Sequence, residues 1–146
     1  MRKIIIVFAF FLSVCAFSAF ADNDRAVQYE KLPAKARMFI SENFPDSKPA
    51  YSKQERDFLE IHYEVVLVAG VKLVFDRFGN WTDIECRYSE LEEKFIPEQA
   101  RKKISDLFPG VSYKKIAKER GNYEIELSNG IELSFDKNYS LLEIDD

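Results

Sequence analysis

The chain repeats itself, and this repetition limits its fold more than any other feature. Leu32-Pro33-Ala34-Lys35-Ala36-Arg37 is echoed by Ile96-Pro97-Glu98-Gln99-Ala100-Arg101, Ile40-Ser41 by Ile104-Ser105, Phe44-Pro45 by Phe108-Pro109, and Glu55-Arg56 by Glu119-Arg120, all at an offset of 64. A four-residue insertion near Phe58 to Ile61 then changes the offset to 60. Tyr63-Glu64 matches Tyr123-Glu124, and Leu67, Gly70, Leu73, Phe75, Asp76 and Ile84 match Leu127, Gly130, Leu133, Phe135, Asp136 and Ile144. Together the two offsets give 17 identities over 51 aligned positions, in fixed order with one gap. Chance is a poor source for such a pattern, and it predicts one structural unit used twice.

Each copy opens on a helix. Pro33 and Pro97 stand at its first turn, where a missing N–H costs nothing. Ala36, Phe39, Ile40 and Phe44 recur at helical spacing, as do Ala100, Ile104, Leu107 and Phe108. Pro45 and Pro109 stop the helices, because the residue before a proline disfavours the α region. Helices of about three turns are marginal alone in water and need a sheet to lie on.

Strands follow. Leu59, Ile61, Tyr63, Val65 and Leu67 alternate with Glu60, His62, Glu64 and Val66, and Tyr123, Ile125 and Leu127 alternate with Glu124, Glu126 and Ser128. Period two marks half-buried strands. Ala69-Gly70 and Asn129-Gly130 read as tight hairpin turns, the second with the type I′ signature. Val71, Leu73 and Phe75, and Ile131, Leu133 and Phe135, continue the apolar face, and Asp76 to Asn80 is a turn with a glycine available for positive φ. The last strands carry Thr82, Ile84 and Cys86, or Leu142 and Ile144, and a more polar strand precedes each set, near Ala50 to Arg56 and Val111 to Lys118. The expected fold is α+β: two tandem helix-plus-four-strand units (32–88 and 96–146) forming one eight-stranded antiparallel sheet, with both helices on one face and the other face partly solvated. Residues 22–31 are an N-terminal extension. A connector over 89–95, entered through Arg87 and Tyr88, is a loop or a short extra helical turn.

The order Leu/Ile-Pro-x-x-Ala, Ile-x-x-x-Phe-Pro, Tyr-Glu-Val/Ile-x-Leu, Gly-x-x-Leu-x-Phe-Asp, present in both copies, resembles the PepSY-like, beta-lactamase-inhibitor-protein-like family of exported bacterial proteins. The resemblance implies the tandem α+β fold and the periplasm of a Gram-negative gut or oral bacterium. It also points to the sheet face opposite the helices, which the lactamase inhibitor uses to grip an enzyme. The inhibitor's disulfides have no counterpart here, and the family supplies no catalytic residues to carry over.

The N-terminus reads as an address. Basic Arg2 and Lys3, the apolar stretch Ile4 to Val14 and the small-residue ending Ala19-Phe20-Ala21 form a secretory signal peptide over 1–21, cleaved before Asp22. A transmembrane anchor and lipidation at Cys15 are the alternatives. Cleavage leaves 125 residues and no stable membrane insertion, takes the net charge from −4 to −6, and leaves Cys86 as the one cysteine. No intrachain disulfide is then possible, so the domain rests on its hydrophobic core, and Cys86 is expected inside it. The acidic balance argues against nucleic acid. One histidine and two cysteines cannot make a structural zinc site.

The candidate binding residues lie on the strand face expected to be bare. By alternation Trp81, Asp83, Glu85 and Arg87 point away from Ile84, and with His62, Val66 and Val74 they could form an aromatic and apolar patch that anchors a partner. The alternative for Trp81 is packing at the edge of the core. His62 flanked by Glu60 and Glu64 could approach a metal ion, but an ordinary strand histidine explains it better. Asp76 and Asp136 lack the dense oxygen spacing of a calcium loop and read as aspartates bonding their own turns. No carboxylate pair stands out among 25 acidic side chains, so no catalytic residue, metal or cofactor is assigned. The expectation is a monomeric, non-enzymatic periplasmic protein that recognises a protein or peptide on the helix-free face. A small-molecule or ion binder on the same face is the alternative.

Overall fold

The structure is a computed structural model that describes residues 24–146. The expected leader, its cleavage after Ala21 and the candidate lipidation site Cys15 lie outside the described residues. The fold is α+β: one open antiparallel sheet of nine strands in sequential order, with two helices. The first strand is β1 (Arg25–Ala26). Helix α1 (Ala34–Asn43) is followed by β2 (Pro49–Asp57), β3 (Glu60–Leu67), β4 (Val71–Asp76) and β5 (Trp81–Cys86). Helix α2 (Glu98–Leu107) is followed by β6 (Tyr113–Glu119), β7 (Asn122–Leu127), β8 (Glu132–Phe135) and β9 (Leu141–Asp145). The expectation of eight strands is corrected by β1, which pairs Arg25 with Gln54 and Ala26 with Lys53. Two residues carry too little alternation to be read as a strand.

Period two does the building. The register carries one row of side chains from Ser52 through Val65, Leu73, Ile84, Ile116, Ile125 and Leu133 to Ile144. From Val65 to Leu133 every member is fully buried, in one cluster with Ala36 and Ile40 of α1 and Ala100 and Ile104 of α2. Both helices therefore cover this side, and residues of the opposite parity face away from them. Small alanines at the helix contact let the backbones approach the sheet. Leu107, expected on the apolar face of α2, is exposed instead. The connector carries a single 3-10 turn, Glu93–Phe95. Phe95 stacks on Phe44 with ring centroids 6.0 Å apart, closing the core beside α1.

Helix ends follow the prolines. Pro33 and Pro97 cap α1 and α2, and their carbonyls accept from the Arg37 and Arg101 amides at 3.1 and 2.9 Å. The turn after β4 presses on the start of α1. A Cβ on Gly79 would come within 2.8 Å of the Ala36 nitrogen, and its φ of +86° suits glycine. The corresponding position of the second half is Tyr139 at φ +61°, which stacks on Tyr123 at 5.3 Å.

Two turn expectations change. At Asn129-Gly130 only the glycine has positive φ, and its amide donates to Leu127 at 3.0 Å. The turn is thus a three-residue loop closed by a left-handed glycine rather than type I′. The pair with positive φ at both positions is Arg120-Gly121, between paired Glu119 and Asn122. In the first half the matching pair is Glu55 and His62, beyond which the ladder runs on through Arg56–Ile61 and Asp57–Glu60. The four inserted residues lengthen that hairpin and carry Phe58 and Leu59 to its tip, where they are 95% and 83% exposed.

Replacing Phe75 by Ala, a fully buried ring that meets Phe39 edge-on at 5.8 Å, should cost about 3–5 kcal/mol of stability. Urea unfolding would register this as a lower midpoint with an unchanged slope.

Candidate functional site

The face turned away from the helices carries two rows. One runs from Lys53 through Glu64, Val74, Asp83, Ala117, Glu124 and Ser134 to Glu143. The next runs from Tyr51 through Val66, Lys72, Glu85, Lys115, Glu126 and Glu132 to Asp145. Most of these side chains are half-buried rather than fully exposed. An open groove of about 670 Å³ crosses the face, lined among others by His62, Val74, Asp83, Ala117, Glu124 and Glu143.

Of the residues expected here, His62, Val74 and Asp83 meet in the groove. Val66 lies half-buried in the neighbouring row, between Tyr51 and Lys72. Arg87 is exposed beyond the end of β5, with its Nε 4.0 Å from Glu85, and its amide donates to Gly70 at 3.1 Å.

Trp81 is elsewhere, and alternation fails there for a definite reason. Val74 faces Asp83 but Phe75 faces Trp81, so Thr82 is an extra residue in β5. That bulge turns Trp81 to the covered side. Its ring lies 6.3 Å from Phe39 and 6.4 Å from Phe95, and the Lys118 ammonium sits 3.2 Å above it. Burial pulls the Lys118 amine below its ordinary range, and the ring face is the compensating contact. The edge-of-core alternative describes Trp81, and the patch does not include it.

Glu64 is the residue that sequence reasoning undervalued. It is one of two buried polar residues among the described residues, with 8% of its surface exposed, and it sits on the helix-free side. The Tyr51 hydroxyl donates to it at 2.8 Å, and the ammonium groups of Lys72 and Lys53 lie 3.2 and 3.9 Å away. Its hydrogen bond raises the Tyr51 hydroxyl, with burial adding to the effect. Glu64 is thus engaged by cations and cannot join His62 and Glu60 around a metal. His62 Nε2 lies 3.2 Å from Glu60. Among the described residues no three His, Cys, Asp or Glu side chains converge on a metal position. Cross-strand register, invisible before pairing is known, was the missing signal.

The second half answers this network with a different one. Glu124 holds the place of Glu64, but Lys72 is replaced by Glu132. Glu132 faces Glu126 on one side and Asp145 on the other. Burial, then a hydrogen bond that the protonated Glu132 donates to the Glu124 carboxylate and the charge of that carboxylate, raise the Glu132 carboxyl to about 7, with Lys115 opposing.

Remaining candidates are structural. Asp76 accepts from the Phe78 and Asn80 amides at 2.9 Å each, and Asp136 from those of Asn138 and Ser140 at 2.8 and 2.9 Å. Burial pushes the Asp76 carboxyl up, and the Asn80, Phe78 and Gly79 hydrogen bonds outweigh it, leaving the group below its usual range. Cys86 is buried, and burial raises its thiol. Such a thiol is poorly nucleophilic.

Two measurements test this arrangement. The unfolded chain titrates Glu132 near 4.5 and the folded chain near 7, so the folded state holds that proton more tightly. Its stabilising contribution is complete below pH 4.5 and is lost as pH rises toward 7. The urea midpoint should therefore fall between pH 5 and pH 8, and Glu132→Gln should flatten that fall. Trp81→Ala should lower stability by about 2–3 kcal/mol through lost packing under α1, measured as the difference in unfolding free energy.

A family model described as "Putative beta-lactamase-inhibitor-like, PepSY-like" matches residues 61–143. A crystal structure described as a "putative periplasmic protein from DUF2874 family" of Bacteroides vulgatus ATCC 8482 is 36% identical, with a TM-score of 0.82, over 86% of this chain and 99% of that one. One of Bacteroides thetaiotaomicron, described as a "putative calcium-regulated periplasmic protein", is 37% identical, with a TM-score of 0.80 and the same coverage. A second from Bacteroides vulgatus, described as periplasmic and of unknown function, is 34% identical, with a TM-score of 0.80, over 84% of this chain and 99% of that one. No curated protein matches the chain. Among the described residues no helix is long and apolar enough to cross a membrane. With more than half its length matched by the family model, and solved relatives more than a third identical across their full length, the chain belongs to the PepSY-like, beta-lactamase-inhibitor-like family.

Proposed function

We propose that this protein is exported to the periplasm, its leader removed after Ala21, and that it recognises another protein or a peptide on the helix-free face of its sheet without catalysing a reaction. The groove carries the reading. It runs from His62 on β3 to Glu143 on β9 and so draws on both halves of the chain. In this reading the halves are tandem units of one helix and four strands whose sheets join into a single platform. A laddered sheet holds its side chains in place before a partner arrives, which reduces the ordering cost of association. Val66, Val74 and Ala117 supply apolar contact among charged neighbours, the mixture that protein surfaces bury on binding. The periplasmic descriptions of three solved relatives support the location.

Val74→Arg places a charge in the groove, and Met38→Arg places one on the exposed side of α1. Immobilised protein offered periplasmic extract should retain a defined partner that Val74→Arg loses and Met38→Arg keeps, with both variants melting like the parent. Equal recovery by the two variants would overturn the reading.

Cation binding on the same face is the second reading. The relative described as calcium-regulated favours it; Glu126, Glu132 and Asp145 lie in one row of that face without converging on a metal position. Calorimetric titration with calcium separates the two readings. Saturable binding that Glu132→Gln weakens would replace peptide recognition, and the absence of heat would leave recognition standing.

A further inference from the structure

We propose that the outer edge of β9 accepts an additional antiparallel strand from a partner segment that sets a Lys or Arg against Asp145 and aliphatic residues against Ile144 and Glu143. The chain contains its own template for that segment. β5 sits on β4 with Asp83, Ile84 and Glu85 opposite Val74, Leu73 and Lys72, and β9 sits on β8 with Glu143, Ile144 and Asp145 opposite Ser134, Leu133 and Glu132. Each strand carries the same single extra residue, Thr82 in one and Leu142 in the other. The two outer edges therefore present one pattern, acid–isoleucine–acid, in one geometry.

The edge of β5 is filled by β6, which sets Ala117, Ile116 and Lys115 against Asp83, Ile84 and Glu85. Among the described residues β9 has one neighbour, β8. The consequence shows at the central side chain: Ile84 is fully buried, and Ile144 is 45% exposed. A strand resembling β6 would put an aliphatic residue beside Ile144 and a base beside Asp145. That base would also meet Glu132, which lies on the other side of Asp145.

Two other occupants fit poorly. A second copy pairing β9 with β9 about Ile144 would set Glu143 against Asp145 twice, and like charges directly opposite repel. A second copy offering β2, the counterpart of β6, would find that edge taken. β1 pairs with Lys53 and Gln54, the Val27 amide donates to the Ser52 carbonyl at 3.0 Å, and the Ser52 hydroxyl donates to the Val27 carbonyl at 2.7 Å. The acids of β9 thus guard the edge against its own kind and leave it open to a basic strand, the mode in which an extended peptide completes a sheet. Glu143 and Asp145 also line the β9 end of the groove, but a strand is taken up by the backbone on the outer side of β9, so the proposal does not rest on recognition by the sheet face.

The test is a titration of isotope-labelled protein, followed by amide NMR, with a synthetic peptide of residues 113–119 and with the same peptide carrying Glu for each Lys. The lysine peptide should shift the amides of Leu141–Asp145 saturably, and the glutamate peptide should bind about threefold or more weakly. The double variant Glu143→Lys, Asp145→Lys should reverse that preference, and Val74→Arg should leave it unchanged. The proposal is overturned by an unresponsive β9 at millimolar peptide or by equal response to both peptides. Shifts confined to β5 and β7, meaning exchange with β6, or a concentration-dependent shift of β9 without peptide, meaning self-pairing, overturn it equally.

Discussion

Burial of one row of side chains, from Val65 through Leu73, Ile84, Ile116 and Ile125 to Leu133, governs the position of everything else in this molecule. The row crosses five consecutive pairings from β3 to β8 without a slip, because a shift of one residue would turn its aliphatic members to solvent. Two short helices with alanines at their contact positions lie on it. Neither helix would persist in water alone, and neither half of the sheet could leave its apolar side wet. The opposite face is set by the same constraint, since period two fixes what points away once it has fixed what points in.

The two halves share this frame and diverge where the frame is indifferent. On the helix-free side, Glu64 is met by Lys72 and Tyr51, while its counterpart Glu124 is met by Glu132. Similar backbone positions thus hold a cation-balanced carboxylate in one half and a carboxyl pair in the other. At the turns, Gly79 gives the first half a close approach to α1, and Tyr139 gives the second half an aromatic stack on Tyr123. The electrostatic character of the face therefore changes along the sheet while its architecture does not.

Much of the fold was legible because it rests on periodicity. Helices after Pro33 and Pro97, alternating strands and the covered parity of Leu73 or Ile125 all follow from spacing. The misplaced features depend on single-residue departures from that spacing. Thr82 adds one residue to β5 and so inverts the side on which Trp81 falls, although Asp83 and Val74 stay where alternation put them. Asn129-Gly130 has the composition of a two-residue loop, but the ladder closes one residue wider, and the two-residue loop belongs to Arg120-Gly121. β1 is too short to carry a pattern. At the candidate site, His62, Val74 and Asp83 were accessible to parity alone. The Glu64 network needed cross-strand register, which no single segment encodes.

The lengthened hairpin between β2 and β3 has a practical consequence. Its tip stands beyond the last paired residues, carries a large aromatic side chain almost wholly in solvent, and holds Phe58 at φ +37°. A protease that prefers aromatic residues would meet its most accessible substrate there, and a cut would sever no member of the buried row. The same loop is where a fluorophore or an inserted epitope could be carried while the rest of the molecule keeps its shape.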